Sequence, residues 1–453
     1  MRLIANAEVI NDGRRRTAVI TVGDDGLIAS VDPGHVDLRD IDPAAYAVTD
    51  AEGLWALPGV IDEHVHFRDP GMTERGDIAT ESRAALAGGV TTCFDMPNTR
   101  PATVTPGAWE AKMERAAAVS AVNYAFFPGV TDDNLDLLCA MDQSRIPGVK
   151  LFMGASTGGM CTDSADALAR LFATYRGIIA VHAEDGRVID CNRARLAAQY
   201  PDGIPVWMHR DVRDTRACVA ATERAVRLAR EHDARLHVMH ISTADELRFF
   251  TPGDVSGKRI TAETCPHYLI WGDIPASDGP LAHLTKCKPA IKGLSDREAL
   301  LRAIAEGLID TVATDHAPHL RGQKEGDALT AASGMPSVQF SLPLMLQLAK
   351  DGAFGHDGYE SVVRLMCHAP ADLWGIDRRG YLRRGWHADI TLVDPAAAHV
   401  IADADVVSRC GWTPYVGRRV DFAVAQTWVN GRPAFDQGRF TGDAHAAPVL
   451  FNH

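Results

Sequence analysis

The sequence predicts an α/β fold, a (β/α)8 TIM-like barrel with a small β-sandwich domain built from both chain termini. Eight apolar, β-branched runs alternate with helix-like segments through the middle of the chain. Residues suited to holding metal ions fall near the ends of those runs, where barrels of this kind gather their chemistry. Short strands and turns occupy both ends of the chain.

Residues 1–57 read as strands at 3–10, 18–22 and 27–31 with a turn at Asp24-Asp25-Gly26, and form the N-terminal part of the small β domain. Residues 58–378 hold the barrel, its strands expected at 59–67, 90–96, 122–130, 148–153, 177–183, 235–242, 259–265 and 308–314. A helix is predicted over 77–87, capped by Asp77 and stopped by Gly88-Gly89. Another opens at Ser295, which would form a capping box with Glu298; Leu300, Leu301 and Ile304 give it an apolar face, and Gly307 ends it. Residues 379–453 complete the β domain, with a strand at 388–393 and Asn430-Gly431 as a hairpin turn. No Pro/Ser-rich linker separates the parts, which predicts rigid packing. Alternating strands and helices also suit a doubly wound open sheet, which periodicity alone does not exclude.

The metal candidates favour the barrel. His64 and His66 end the first strand, Lys150 lies in the fourth, His182 ends the fifth, His240 the sixth and Asp315 the eighth. Alternate side chains of a strand share a face, so His64 and His66 can reach one ion. With 18 His in 453 residues, one His-x-His pair arises by chance about once, so the pair draws its meaning from its placement. Joint placement at strand ends makes a metal site a better account than scattered core histidines. His209, His237, His267 and His316 read as packing, supporting or surface residues. His237 and His240 have metal-like spacing, but on a strand they face opposite sides.

A net charge of −13 argues against nonspecific nucleic-acid binding, and an anionic substrate would need a locally positive pocket. Nine scattered cysteines without a Cys-x-x-Cys pair point to reduced thiols and a cytoplasmic setting. No signal segment or membrane-spanning stretch is evident, so a soluble, unexported chain is expected.

The run Asp62-Glu63-His64-Val65-His66-Phe67-Arg68-Asp69-Pro70-Gly71, with Asp95-Met96-Pro97-Asn98-Thr99 and Ala313-Thr314-Asp315-His316-Ala317-Pro318-His319, resembles the dihydroorotases of the amidohydrolase superfamily. The resemblance covers nearly the whole chain, including Val149-Lys150-Leu151-Phe152, Val181-His182-Ala183-Glu184 and His240-Ile241-Ser242-Thr243. It implies two metal ions, most often zinc (Zn2+). His64, His66 and Asp315 would hold the first and His182 and His240 the second, with a carbamylated Lys150 bridging them. An ammonium cannot bind a cation, whereas a carbamate supplies two anionic oxygens. Asp315 would also be the catalytic base, moving a proton from the attacking hydroxide to the departing ring nitrogen. The implied reaction is the reversible hydrolysis of dihydroorotate to N-carbamoyl-aspartate in pyrimidine biosynthesis.

Dihydroorotate carries a carboxylate, and Arg68, two residues past His66 on the same expected strand face, can grip it with a bidentate fork. Asn98 adds an amide donor, and the resemblance makes His319 the third contact. One departure lies in Lys286-Cys287-Lys288-Pro289, where dihydroorotases commonly have Asn before the proline. Lys288 can donate to a ring carbonyl but cannot accept from a ring N–H. Ser156 and Thr157, in a Gly-rich loop after Lys150, are candidates for a lid over the substrate. Allantoinases and the hydantoinase/dihydropyrimidinase group share the metal scaffold and form the second reading. The third is a catalytically silent partner of aspartate transcarbamoylase, which should have lost metal ligands; here all six are present. A homo-oligomer acting on a small molecule, with neither nucleic acid nor membrane as partner, is expected.

Overall fold

The computed structural model describes residues 1–154, 160–162, 164–274, 279–442 and 445–452. The loop positions Ser156 and Thr157 lie outside them. All eight central strands are present: β1 (Val60–Val65), β2 (Val90–Asp95), β3 (Asn123–Phe126), β4 (Val149–Met153), β5 (Ile178–Ala183), β6 (Arg235–Val238), β7 (Ile260–Thr264) and β8 (Thr311–Val312). They pair in parallel and in chain order, β1 to β3 in one sheet and β4 to β8 in another. Single parallel bridges, Gly129 to Lys150 and Val65 to His316, join the two sheets at both seams. This order has no reversal, and a reversal is what defines a doubly wound sheet.

Several strands are shorter than expected, each for a local reason. β3 stops before Pro128, which has no N–H for a ladder. β6 and β8 stop because His240 and Asp315 turn into the left-handed region, at φ +44° and +47°. Helix Ile78–Ala87 forms as predicted: Asp77 Oδ1 accepts from Thr80 N at 2.8 Å, Thr80 Oγ1 accepts from Asp77 N at 3.1 Å, and Gly88 is the C-cap. The later helix starts earlier than predicted, at Leu294. Asp296, not Glu298, reaches back to the Gly293 N–H (3.1 Å), which displaces the expected Ser295 box.

The chain ends meet in one nine-stranded sheet rather than two separate sheets, because strand Ile390–Asp394 pairs antiparallel with Trp55–Pro58 and makes the two halves continuous. Ile4, Val9, Ile20, Val22, Ile390 and Trp428 form the buried core on one of its faces. Asn430 and Gly431 have φ of +47° and +79°, the left-handed pair that a two-residue hairpin turn requires between Ala423–Val429 and Arg432–Asp436. Another apolar cluster, including Ile61, Phe94, Phe127 and Met239, packs on Trp374 of helix Ala369–Trp374. All nine cysteines are free thiols. No helix among the described residues is long and apolar enough to cross a membrane.

Candidate active site

One cavity is lined by His64, His66, Arg68, Asn98, Phe152, His182, His240, Lys288, Asp315, Ala317, Ser333 and Gly334. Eight of the ten residues singled out in the sequence therefore meet in one place. Lys150 lies fully buried in β4, and His319 sits behind Arg68.

A bulge in β1 delivers the first pair of histidines. Asp62 pairs with Cys93 and Val65 with Asp95, so three steps on β1 oppose two on β2. His64 Nε2 and His66 Nε2 then lie 3.4 and 3.0 Å from the same atom, Asp315 Oδ1. His182 Nδ1 is 2.8 Å from His240 Nε2, and the His64 and His240 rings are 5.2 Å apart, which connects the two groups.

The tautomers decide what this cluster can hold. His66 Nδ1 is 2.7 Å from Asn98 Oδ1, and His64 Nδ1 is 2.8 Å from Glu263 Oε1. Both partners are acceptors, so each imidazole spends its N–H there and turns a bare Nε2 lone pair towards the Asp315 carboxylate. Three converging acceptors repel one another unless a cation lies among them, and a ligand histidine anchored through its other nitrogen is the usual arrangement around a metal. Burial pushes His64, His182 and His240 below the usual imidazole range, which keeps their lone pairs available. Burial would raise Asp315, but without a metal any proton taken up by His64 or His66 pairs with its carboxylate, which outweighs burial and holds it down at about 2. These donors fit a divalent metal.

Lys150 Nζ donates to the Met239 sulfur at 2.7 Å, a weak acceptor, and burial pulls its amine down to about 8. At neutral pH a larger fraction is thus the free amine that carbamylation needs, compared with a solvated lysine.

Arg68 corrects one expectation. It is not on the β1 face, since the strand ends at Val65 and Arg68 adopts φ +67°, yet this turn brings its guanidinium into the same cavity. Its Nε donates to Pro318 O at 3.2 Å, and its Nη2 lies 3.2 Å from His319 Nε2. Among the described residues no carboxylate lies within ion-pairing distance of it. Burial foremost, with Arg75 nearby, lowers it to about 10, so it remains a cation. Lys288 also lines the cavity, and burial, with Arg213, brings its amine to about 7.

Sequence reasoning missed the buried carboxylates behind these groups. Glu263 orients His64, while Glu184 Oε2 lies 3.0 Å from His182 Nε2 and pairs with Arg213. Burial opposes its ionisation, but Arg213 outweighs that and keeps Glu184 well below the usual carboxylate range. Glu184 follows His182 by two on the same segment, and Glu263 is a charge inside an apolar strand; both were detectable signals. The four histidines set aside are all buried. His209 lies 2.9 Å from Cys287 O, His316 2.9 Å from Glu81 Oε2, and His237 2.9 Å from Thr261 Oγ1, while neither ring nitrogen of His267 has a hydrogen-bond partner among the described residues.

Parallel strands ending in a cavity of buried imidazoles and one ionised carboxylate define a barrel hydrolase site. The chain belongs to the amidohydrolase family, whose model matches residues 55–188 and 195–434, and it is a hydrolase. It is 38% identical to a dihydroorotase of Halobacterium salinarum, over 84% of this chain and 86% of that protein. An allantoinase of Streptomyces avermitilis is 32% identical over 97% of this chain and 96% of the relative. Among solved structures, the L-hydantoinase (dihydropyrimidinase) of Arthrobacter aurescens superposes with a TM-score of 0.90 at 26% identity, covering 100% of this chain and 99% of the other.

Proposed function

We propose that this protein is a dihydroorotase, hydrolysing the ring amide of dihydroorotate to N-carbamoyl-aspartate and running in reverse to close the ring. The observation that carries the reading is Arg68, a buried guanidinium lining the cavity without a carboxylate partner among the described residues. A buried cation of this kind calls for an anion from outside, and a ring carboxylate is such a group.

Two divalent metals, zinc in the first instance, would sit on His64, His66, Asp315, His182 and His240 with carbamylated Lys150 between them. When bound, such ions polarise the carbonyl and make a water nucleophilic near neutral pH. Asp315, ionised at neutral pH, accepts the proton of that water and returns it to the ring nitrogen as the C–N bond breaks. Water thus adds across the amide, giving one carboxylate and one N–H. Arg68 binds the substrate carboxylate, with His319 buttressing the guanidinium. Asn98 holds His66 and faces the cavity, and Lys288 donates to a ring carbonyl. In this reading residues 58–378 form the catalytic barrel, and 1–57 with 379–453 form the β domain that braces it.

Two observations favour a second reading, a cyclic ureidase of the allantoinase type. The allantoinase relative spans more of the chain than the dihydroorotase, and Lys288 departs from the dihydroorotase pattern. Initial rates of ring opening by the zinc-supplied protein on dihydroorotate, allantoin and dihydrouracil separate the two. A dominant rate on dihydroorotate is expected; preference for allantoin would replace the first reading with the second.

A further inference from the structure

Beneath the cavity lies a second convergence of ligand atoms. Glu63 of β1, His237 of β6 and Glu263 of β7 are each 0% exposed, and their ligand atoms all lie within 4.8 Å of one another. We propose that these three side chains form a third cation site, separate from the histidine-lined cavity and built for a divalent ion of the zinc class.

The separations are too long for hydrogen bonds. His237 Nε2 is 3.6 Å from Glu63 Oε1 and 3.7 Å from Glu263 Oε2. Hydrogen bonds between such atoms close to about 2.7–3.2 Å. Donors held at about 2.0–2.2 Å around a tetrahedral ion stand roughly 3.3–3.6 Å apart, the spacing these atoms approach.

The tautomer of His237 points the same way. Thr261 Oγ1 donates to Leu236 O at 3.3 Å, so it offers a lone pair to His237 Nδ1, 2.9 Å away, and that nitrogen carries the imidazole proton. His237 Nε2 is left bare and faces two carboxylates. This is wrong for a hydrogen bond to either, and right for a metal ligand anchored through its other nitrogen.

Unsatisfied polar groups gather at the same place. Among the described residues, both oxygens of Glu63, Glu263 Oε2 and His237 Nε2 are fully buried with no hydrogen bond of normal geometry. The Thr311 hydroxyl and the Trp374 indole N–H act on Glu63 as weak donors, and their pull towards its ionised form is outweighed by burial and by Glu263. Unpaired buried charge of this density is costly, and one divalent ion would neutralise both carboxylates. Glu263 would join the two centres, because its Oε1 is committed to His64 Nδ1 (2.8 Å) and the His240 N–H (3.0 Å) while Oε2 faces the inner cluster. None of this depends on which ring the enzyme opens.

The test is zinc-edge anomalous diffraction from the full-length, zinc-loaded protein, with metal counted by mass spectrometry in parallel. An anomalous peak is expected among Glu63, His237 and Glu263, about 2.0–2.3 Å from the three ligand atoms. Glu63→Gln and His237→Gln should each lose one zinc equivalent. Asp315→Ala should lose zinc from the histidine cavity while the inner peak persists, whatever the turnover on dihydroorotate. No peak at the inner cluster while the cavity is occupied would mean that a proton, not a metal, sits there and would overturn the proposal. So would equal metal content in the wild type and both folded variants, or a chain that takes up no zinc. Should the variants fail to fold, the wild-type diffraction decides alone.

Discussion

Replacing Arg68 with Met separates substrate recognition from stability. In the free protein the guanidinium is held at about 10 against its usual 12.5, which corresponds to about 3 kcal/mol of unfavourable burial. Met removes that burden and fills much of the same volume. Its losses are the charge-assisted hydrogen bond to Pro318 O and the contact with His319 Nε2, together about 2–3 kcal/mol. The Tm of Arg68→Met should therefore match or exceed that of the wild type. For a substrate that carries a carboxylate the balance reverses. Losing one partner of a buried, charge-assisted pair costs roughly 3–4 kcal/mol, which is about 100- to 1000-fold in kcat/KM, expressed mainly through KM. Dihydrouracil, which has the ring without the carboxylate, serves as the internal control and should lose less than about threefold. Steady-state kinetics on both rings, with zinc content measured alongside, test this. An equal fall on the two substrates would mean that Arg68 supports the fold of the cavity and not the carboxylate, and unchanged dihydroorotate kinetics would remove the basis for the substrate assignment.

Other consequences follow from the same geometry. Asp315→Asn keeps the shape but removes the base, and kcat should drop by about 10²- to 10⁴-fold; a kcat within threefold of wild type would rule out that role. Arg213→Met strands the Glu184 carboxylate beside His182 and should destabilise the protein by roughly 3–5 kcal/mol, read as an earlier urea midpoint, whereas an unmoved midpoint would show that Glu184 has another partner. In metal-free protein His64, His182 and His240 have pKa values depressed below their unfolded value of 6.5, so below that pH the unfolded chain binds protons that the native chain refuses. Their contribution is present above about 6.5 and is lost as pH falls through the folded values, so urea midpoints at pH 5.5 should lie below those at pH 7.5 when chelator is present. Chelation at constant pH should abolish turnover and lower the Tm, and added zinc should restore both.

The order of the barrel was legible because its signal is periodic: all eight strands recur where β-branched runs lie, and helix Ile78–Ala87 starts and stops where Asp77 and Gly88 require. What escaped was whatever depends on distant partners. Leu294–Ala305 begins before Ser295 because Asp296 reaches Gly293, a choice that the nearby Glu298 conceals. The terminal strands were recognisable one at a time, but their union depends on Ile390–Asp394 pairing with Trp55–Pro58, more than 300 residues earlier in the chain, and no local pattern encodes that.

The candidate site shows the same division more sharply. Five metal-suited residues could be named from strand ends and Lys150 from its place within a strand, yet the rule that placed Arg68 on a strand face was inapplicable, since the strand had already ended. Arg68, His240 and Asp315 adopt φ of +67°, +44° and +47°, conformations that cost roughly 1–2 kcal/mol for residues other than glycine. A chain entering that region leaves its period-two path, so sequence alternation no longer says where a side chain points. Buried carboxylates hold two of these turns. Glu263 accepts the His240 N–H at 3.0 Å, and Asp62 accepts from Thr314 N at 3.1 Å and from Thr314 Oγ1 at 2.6 Å, immediately before Asp315. The strain is sustained by interactions that lie outside the ligand set itself. The histidines and Asp315 supply the donor chemistry, while Asp62 and Glu263 supply its geometry, and only the folded chain shows which turn each of the second pair holds.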